Sequence, residues 1–346
     1  MAARAFITGL GGLTISANER AFLREAQPWG LIIFKRNVNT PQQVTELTNS
    51  FRDVVGWHAP VLVDQEGGRV QRIGPPHWPA YPPGARYGAL YDREKSVALT
   101  ASRLAGRLIA ADLHVLGIDV DCLPLADVPA ASGDPVIGDR AYGTEPGKVA
   151  AIATAIAQGL QAGGVLPVLK HLPGHGRASA DSHHQLPVVD TDRATLESTD
   201  FAAFKPLNGL PLGMTAHVVF SAIDPVAPAT TSVTMVSEVI RGFIGFQGLL
   251  MSDDVSMKAL SGSIAERSRA AFAAGCDVVL HCNGDLGEMA AVAAQAPVLE
   301  GEAAKRAKAA LEKRTAPEAI DVEAARKIFK QMVADERPAS QRMTCS

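Results

Sequence analysis

The run VLPVLK, Val165–Lys170, is short, almost wholly apolar, and ends on a lysine followed by His171. It is too brief for a packed helix. An unbroken apolar run of this length reads as a strand buried on both faces of a parallel sheet. Helical periodicity over Gly147–Ala162 precedes it, and Gly163 reads as the stop of that helix. A helix feeding a buried strand is the repeating unit of α/β folds. Working outward, the same kind of run recurs at AFIT (Ala5–Thr8), GLIIF (Gly30–Phe34), PVLVD (Pro60–Asp64) and GIDVD (Gly117–Asp121). It recurs again at LGMTAH (Leu212–His217), GLLMSD (Gly248–Asp253) and DVVLH (Asp277–His281). Helical stretches such as Lys95–Leu116 and Ile264–Ala274 lie between runs. Thr40-Pro41 and Thr144–Pro146 read as helix starts and Gly275 as a further stop. Eight strands in alternation with helices predict an α/β fold, a single-domain (β/α)8 TIM-type barrel, and 346 residues suit one such barrel. The alternative is a doubly wound sheet. It usually has fewer strands, and GLGG (Gly9–Gly12) has Thr14 where a dinucleotide loop needs a third glycine. The expected catalytic domain spans 1–336, with Gly74–Pro83 as a long loop and 337–346 as a tail.

Apolar residues make up 47% and charged residues 20%, as in ordinary packed globules. A net charge of −3 without a Lys/Arg block argues against nucleic acid or an anionic membrane as partner. In MAARAFITGLGGLTIS, Gly9, Gly11 and Gly12 interrupt what would be the apolar core of a signal peptide. No run approaches the ~18 apolar residues of a membrane span. Cys122, Cys276, Cys282 and Cys345 show no CxxC spacing and suit reduced thiols in a cytoplasm.

Functional groups of a βα barrel gather at the C-terminal ends of its strands. Asp64, Asp121, Lys170 with His171, His217, Asp253 and His281 occupy six such ends. Polarity resumes at any strand end, but six together point to a site. VDQEGGRVQR (Val63–Arg72) sets Asp64 before a Gly67-Gly68 turn with Arg69 and Arg72 beyond, and VIGDRAYG (Val136–Gly143) offers Arg140. A carboxylate and a guanidinium can share sugar hydroxyls, or merely form a surface ion pair. In MSDDVSM (Met251–Met257) strand alternation lets only one carboxylate face the barrel axis, and Asp253 shares parity with Leu249 and Met251.

KHLPGHGRASADSHH (Lys170–His184) crowds four histidines into one glycine-punctuated segment. His171, His175, Asp181 and His183 are zinc-type ligands, but no tight ligand spacing appears, and Gly174 and Gly176 imply turns. A solvated His-rich loop is the plainer reading. An acid/base reading needs fewer coincidences: Asp181 beside His183 would orient the ring and stabilise its protonated form. Such a pair donates and later accepts a proton near neutral pH. His184 reads as a loop residue.

KHLPGHGRASADSHHQLP resembles the signature of glycoside hydrolase family 3, in its β-N-acetylglucosaminidase branch. FKRN (Phe34–Asn37), VDQEGGRVQR, VIGDRAYG, MTAHVVF and LLMSDDVSM resemble the same branch in the same order, from about Gly30 to His281. Leu172 and Val255 depart from the usual Phe and Leu without touching an ionisable position. The resemblance implies a retaining hydrolase with Asp253 as nucleophile and His183, assisted by Asp181, as acid/base. It implies that Asp64, Arg72, Arg140, Lys170 and His171 bind the terminal N-acetylglucosamine, and that His175 and Arg177 shape the loop. It also implies no cofactor, no metal and no obligate protein partner. The substrate would be a small carbohydrate, a GlcNAc-containing muropeptide cleaved during cytoplasmic peptidoglycan recycling. A phosphorylase or a broader β-glycosidase of the same family is the alternative.

Overall fold

Each of the eight apolar runs forms a strand. They are β1 (Arg4–Thr8), β2 (Pro28–Ile33), β3 (Val61–Val63), β4 (Val120–Asp121), β5 (Leu166–Leu172), β6 (Leu212–Thr215), β7 (Leu249–Asp254) and β8 (Val278–His281). The computed structural model describes residues 3–130, 136–178, 182 and 185–334. All pairings in the barrel are parallel, each strand lies beside its neighbours in sequence, and β8 closes on β1 with Phe6 opposite Val279 and Ile7 opposite Leu280. The fold is therefore the expected (β/α)8 barrel.

Alternation along the strands fills the interior. Ile7, Ile32, Leu62, Val120, Val168, Leu212, Met251 and Leu280 belong to one cluster inside the barrel, all essentially without exposure. Burying an aliphatic side chain of this size is worth ~1.5–3 kcal/mol. The opposite parity, such as Leu31, Val63 and Leu169, packs against the surrounding helices. Those helices carry the expected punctuation. Thr40 caps Pro41–Val55 by accepting from the Gln43 N–H, and Pro41 supplies a first position that needs no donor. Ser263 and Glu266 form a capping box on Ile264–Ala274, which ends at Gly275 with φ +109°. Helix Lys95–His114 lies directly on Pro146–Ala162. A Cβ on Gly106 or Gly159 would come within 2.3 or 2.0 Å of a facing backbone oxygen, so this approach requires glycine.

Some details differ from the sequence reading. GIDVD contributes only Val120–Asp121, because Gly117 takes a left-handed φ of +74° and the chain is still turning. Among the described residues, the segment after β5 carries one short α-helix, Arg193–Ser198, followed by the 3-10 turns Phe201–Ala203 and Lys205–Leu207, and the one after β6 a π-helical stretch, Met235–Phe243. The chain beyond β8 adds helices Leu286–Gln295, Gly301–Glu312 and Val322–Ala334. The last is pinned to the barrel wall by Arg326, which pairs with Asp112, itself the acceptor for Tyr81 Oη at 2.6 Å. The expected tail lies outside the described residues. Cys122, Cys276 and Cys282 are free, buried thiols. No helix among the described residues is long and apolar enough to cross a membrane.

Candidate active site

The inward parity that packs Leu62, Val168 and Met251 continues, two residues on, into Asp64, Lys170 and Asp253. These side chains open into a cavity of about 270 Å³ at the C-terminal mouth of the barrel. It suits one sugar ring rather than a long ligand. Arg69, Arg72, Arg140, His171, His175, Ser182 and Asp254 complete its polar lining, and apolar residues including Ile32, Phe34, Met214, Leu280 and Cys282 form its floor and wall. The expected dyad, Asp181 and His183, lies outside the described residues.

One wall is a buried network of charge. Lys170 Nζ lies 3.0 Å from Asp64 Oδ1 and 2.7 Å from Glu66 Oε1. Arg72 Nη2 meets Asp64 Oδ2 at 3.0 Å, and Arg140 grips both oxygens of Glu66 at 2.7 and 2.8 Å. Burial by itself pushes both carboxyls up. Lys170 and Arg72 more than reverse this at Asp64, which lies far below the ordinary carboxylate range. Arg140 and Lys170 do the same to Glu66, bringing it to about 2. Burial would lower Lys170, but Asp64 and Glu66 hold it above its usual value. Two carboxylates thus face three cations. Lys170 spends two of its three protons on Asp64 and Glu66, and Arg72 Nε has no partner among the described residues. Such a wall offers spare donors and a charged acceptor to hydroxyl groups. Arg72 is held in place by stacking over the Phe34 ring, 5.1 Å from its centroid.

A second wall follows from β5. His171 Nδ1 sits 2.8 Å from Asp127 Oδ2, which leaves Nε2 for the cavity. Asp127 Oδ1 accepts the backbone N–H of His175 at 2.7 Å. Burial raises Asp127, but the two histidines lower it further, to about 2. The His175 ring packs edge-on against His171 and places Nε2 3.1 Å from Ser182 Oγ. Burial, then His171, pushes His175 down to about 4, so it is neutral at neutral pH.

Across the barrel from β3, β7 presents Asp253. Burial opposes its ionisation, but His217, His171 and the Asp254 N–H, which donates to Oδ1 at 2.8 Å, hold its carboxyl below the ordinary value. Alternation was expected to bring only one of the two carboxylates to the cavity, and both border it. They differ in commitment. Asp254 is used up by Ser256, which donates its N–H and hydroxyl at 2.9 and 2.7 Å, and by the Cys282 N–H at 3.2 Å. Asp253 keeps one oxygen without a partner among the described residues. An ionised carboxylate with a free oxygen, facing a hydroxyl-binding wall, can attack an electrophilic carbon of a bound sugar.

The strand-end rule over-reached at three positions. Asp121 and His281 have the outward parity. Asp121 is fully buried, its Oδ1 accepting the Gln65 N–H at 3.0 Å, and burial raises its carboxyl well above the usual range. His281 pairs with Glu288 at 3.0 Å. His217 is buried between Thr230 and the Asp254 carbonyl, behind the cavity. Arg177 does not line the cavity and instead pairs with Asp200 at 2.9 Å and donates to Thr199. Sequence reasoning missed Glu66 and Asp127. Glu66 stands in the quoted VDQEGG, beside a carboxylate already singled out. Asp127 sits six residues beyond β4, where no strand end marks it.

Comparison with known proteins places this geometry. Residues 6–314 match the glycosyl hydrolase family 3 N terminal domain. The chain is 41% identical over 281 residues to a beta-hexosaminidase of Alkalilimnicola ehrlichii, covering 80% of this chain and 79% of that one. It is 37% identical over 301 residues to the beta-hexosaminidase of Chromobacterium violaceum, covering 86% and 84%. NagZ from Neisseria gonorrhoeae, solved in complex with N-trifluoroacetyl-D-glucosamine, superposes with a TM-score of 0.87 at 30% identity, over 96% of this chain and 99% of that one. That protein has also been crystallised in complex with zinc ion. With a closed barrel, a sugar-sized cavity and a match over most of its length, the chain belongs to glycosyl hydrolase family 3 and is a glycoside hydrolase.

Proposed function

We propose that this β-N-acetylhexosaminidase of the NagZ type acts in the cytoplasm on cell-wall fragments. It removes the non-reducing terminal N-acetylglucosamine from GlcNAc-1,6-anhydroMurNAc peptides during peptidoglycan recycling. The reading rests on Asp253, a carboxylate held below its ordinary pKa, with one oxygen unpartnered among the described residues, set opposite the Asp64–Lys170–Arg72 wall. The wall and His171 hold the hydroxyls of one terminal sugar. Asp253 forms a bond to the anomeric carbon as the bond to the leaving oxygen breaks, and His183, oriented by Asp181, gives that oxygen its proton. Water then attacks the glycosyl-enzyme, His183 takes the water's proton, and the Asp253–carbon bond breaks. Net retention follows from two displacements. The N-acetyl preference is supported by relatives named as hexosaminidases and by the N-acylated glucosamine in the gonococcal complex.

Two measurements test this. Turnover of a chromogenic N-acetyl-β-glucosaminide should far exceed that of the matching glucoside, and added phosphate should leave free sugar as product rather than sugar 1-phosphate. His183→Ala should lower kcat/KM, which reports the glycosylation step, ~10²–10⁴-fold more for an unactivated disaccharide than for an aryl glycoside whose leaving group needs no proton. Asp181→Ala should show the same inequality more mildly. Equal losses of kcat/KM on the two substrates would remove His183 from the mechanism.

A further inference from the structure

We infer that the helix Val322–Ala334, which contributes no residue to the cavity lining, is a remote brace of the sugar-binding wall, with Tyr81 and Arg326 as positioning residues for Glu66, Arg72 and Arg140. Arg326 pairs with Asp112 and also donates to Tyr81 Oη at 3.3 Å. Tyr81 Oη in turn donates to Asp112 Oδ2 at 2.6 Å. Phe329, about one turn further along the helix, sets its ring 6.2 Å from that of Tyr81. Tyr81, Asp112 and Phe329 are all buried, so water competes little for these contacts. Burial, then Asp112, raises the Tyr81 phenol above its usual value, so it stays a donor at neutral pH. The helix thus fixes Tyr81 at both its ring and its oxygen.

From Tyr81 the constraint runs into the wall through the backbone. Its N–H donates to Gln71 Oε1 at 2.9 Å, and its carbonyl accepts the Gly68 N–H at 2.9 Å. Gln71 ends the hairpin of short strands Gln65–Gly67 and Val70–Gln71, and Gly68 lies in its turn. Asp64 stands just before this hairpin, Glu66 within it and Arg72 just after it. The turn has no slack toward Tyr81: a Cβ on Gly67 would lie 2.4 Å from the Pro82 carbonyl oxygen. A second route starts at the other end of the same helix. Arg86 Nε donates to the Val333 carbonyl at 2.9 Å. Arg86 belongs to the helix Gly84–Arg93, whose Gly84 and Gly88 abut the backbone of Arg140 and Tyr142. One helix therefore reaches both partners of the Glu66–Arg140 ion pair by separate routes. Groups that hold a substrate act only from the right place, and a small displacement set off far from the site weakens them.

The inference rests on the reading of that wall as the holder of the terminal sugar, and the experiment separates the two. Tyr81→Phe keeps the ring against Phe329 and removes only the hydroxyl. Its affinity for free N-acetylglucosamine, measured by competitive inhibition, should fall about fivefold, the worth of one buried hydrogen bond. KM for a chromogenic N-acetyl-β-glucosaminide should rise by a similar factor while kcat stays within about twofold, the mark of lost binding. A mere loss of folded enzyme would lower kcat and leave KM alone. Arg326→Met should show the same split, and Arg326→Lys should recover a good part of it. The double variant Tyr81→Phe/Arg326→Met should be no worse than the stronger single one, because both act through one contact. In each weakened variant, hydrogen exchange should quicken at 65–72 and 136–143 and stay unchanged in β5. Unchanged sugar affinity, a loss confined to kcat, or quickened exchange throughout would overturn the brace. Arg72→Ala is the control on the wall itself. A sharp loss of affinity there with none in Tyr81→Phe rejects the brace and leaves the wall. If Arg72→Ala also leaves the affinity unchanged, the wall reading fails and the brace falls with it.

Discussion

Lys170 and Asp253 show how much a single residue's parity carries. Both extend a row of inward apolar side chains, and both were legible once the strands were drawn. Their partners were not. Glu66 reaches Lys170 and Arg140 from the short strand Gln65–Gly67, seventy-four residues before Arg140, and Asp127 reaches His171 from a stretch with no pattern of its own. Partners brought in by tertiary structure leave no local trace. Glu66→Gln should therefore be costly, since it leaves Arg140 and Lys170 buried with one carboxylate instead of two. Removing one partner of a buried ion pair costs ~3–5 kcal/mol, so denaturant unfolding should show a loss of that order. Sugar affinity should fall as well, because the amide leaves Arg140 one acceptor where it now has two. Near-normal stability would mean that water, not Glu66, screens these cations.

At the level of elements, the helix Gly84–Arg93 sets the position of the Arg140 loop. A Cβ on Gly84 would lie 1.9 Å from the Arg140 carbonyl oxygen, and one on Gly88 1.9 Å from that of Tyr142. Neither distance is tolerable, so Gly84→Ala must push the loop away. We expect a stability loss of ~1–3 kcal/mol and a raised KM with a smaller change in kcat, measured by unfolding and steady-state kinetics. An unchanged KM would separate this contact from the site. Elements were the most readable scale in the sequence, because buried parallel strands write themselves as apolar runs. All eight strands stand where those runs lie. The brief β4 and the short or π-helical connections after β5 and β6 were not readable, since their shape depends on packing rather than periodicity.

For the whole molecule, acid is the condition to which the charged mouth should respond. Asp64, Glu66 and Asp127 have folded values below their unfolded values of 3.8, 4.5 and 3.8. A depressed carboxyl contributes stability that is complete above its unfolded value and is lost as pH falls through the folded one. Unfolding free energy should hence be level in these three groups near neutrality and fall from about pH 4.5 toward about 2. In Glu66→Gln the slope over that window should be shallower. An identical slope would assign the acid sensitivity to other carboxylates. Activity should also survive EDTA, because the proposed steps use side chains alone, and a loss restored by added zinc would reinstate the His-cluster metal reading.

The central claim is that catalysis passes through a sugar covalently bound to Asp253. It is tested most directly by incubating the enzyme with a mechanism-based fluorinated N-acetylglucosaminide and mapping the adduct by peptide mass spectrometry. We expect one sugar per chain, carried on Asp253, with Asp253→Asn folded, unlabelled and nearly inactive. An adduct on Asp254, or full turnover by Asp253→Asn, would contradict the account.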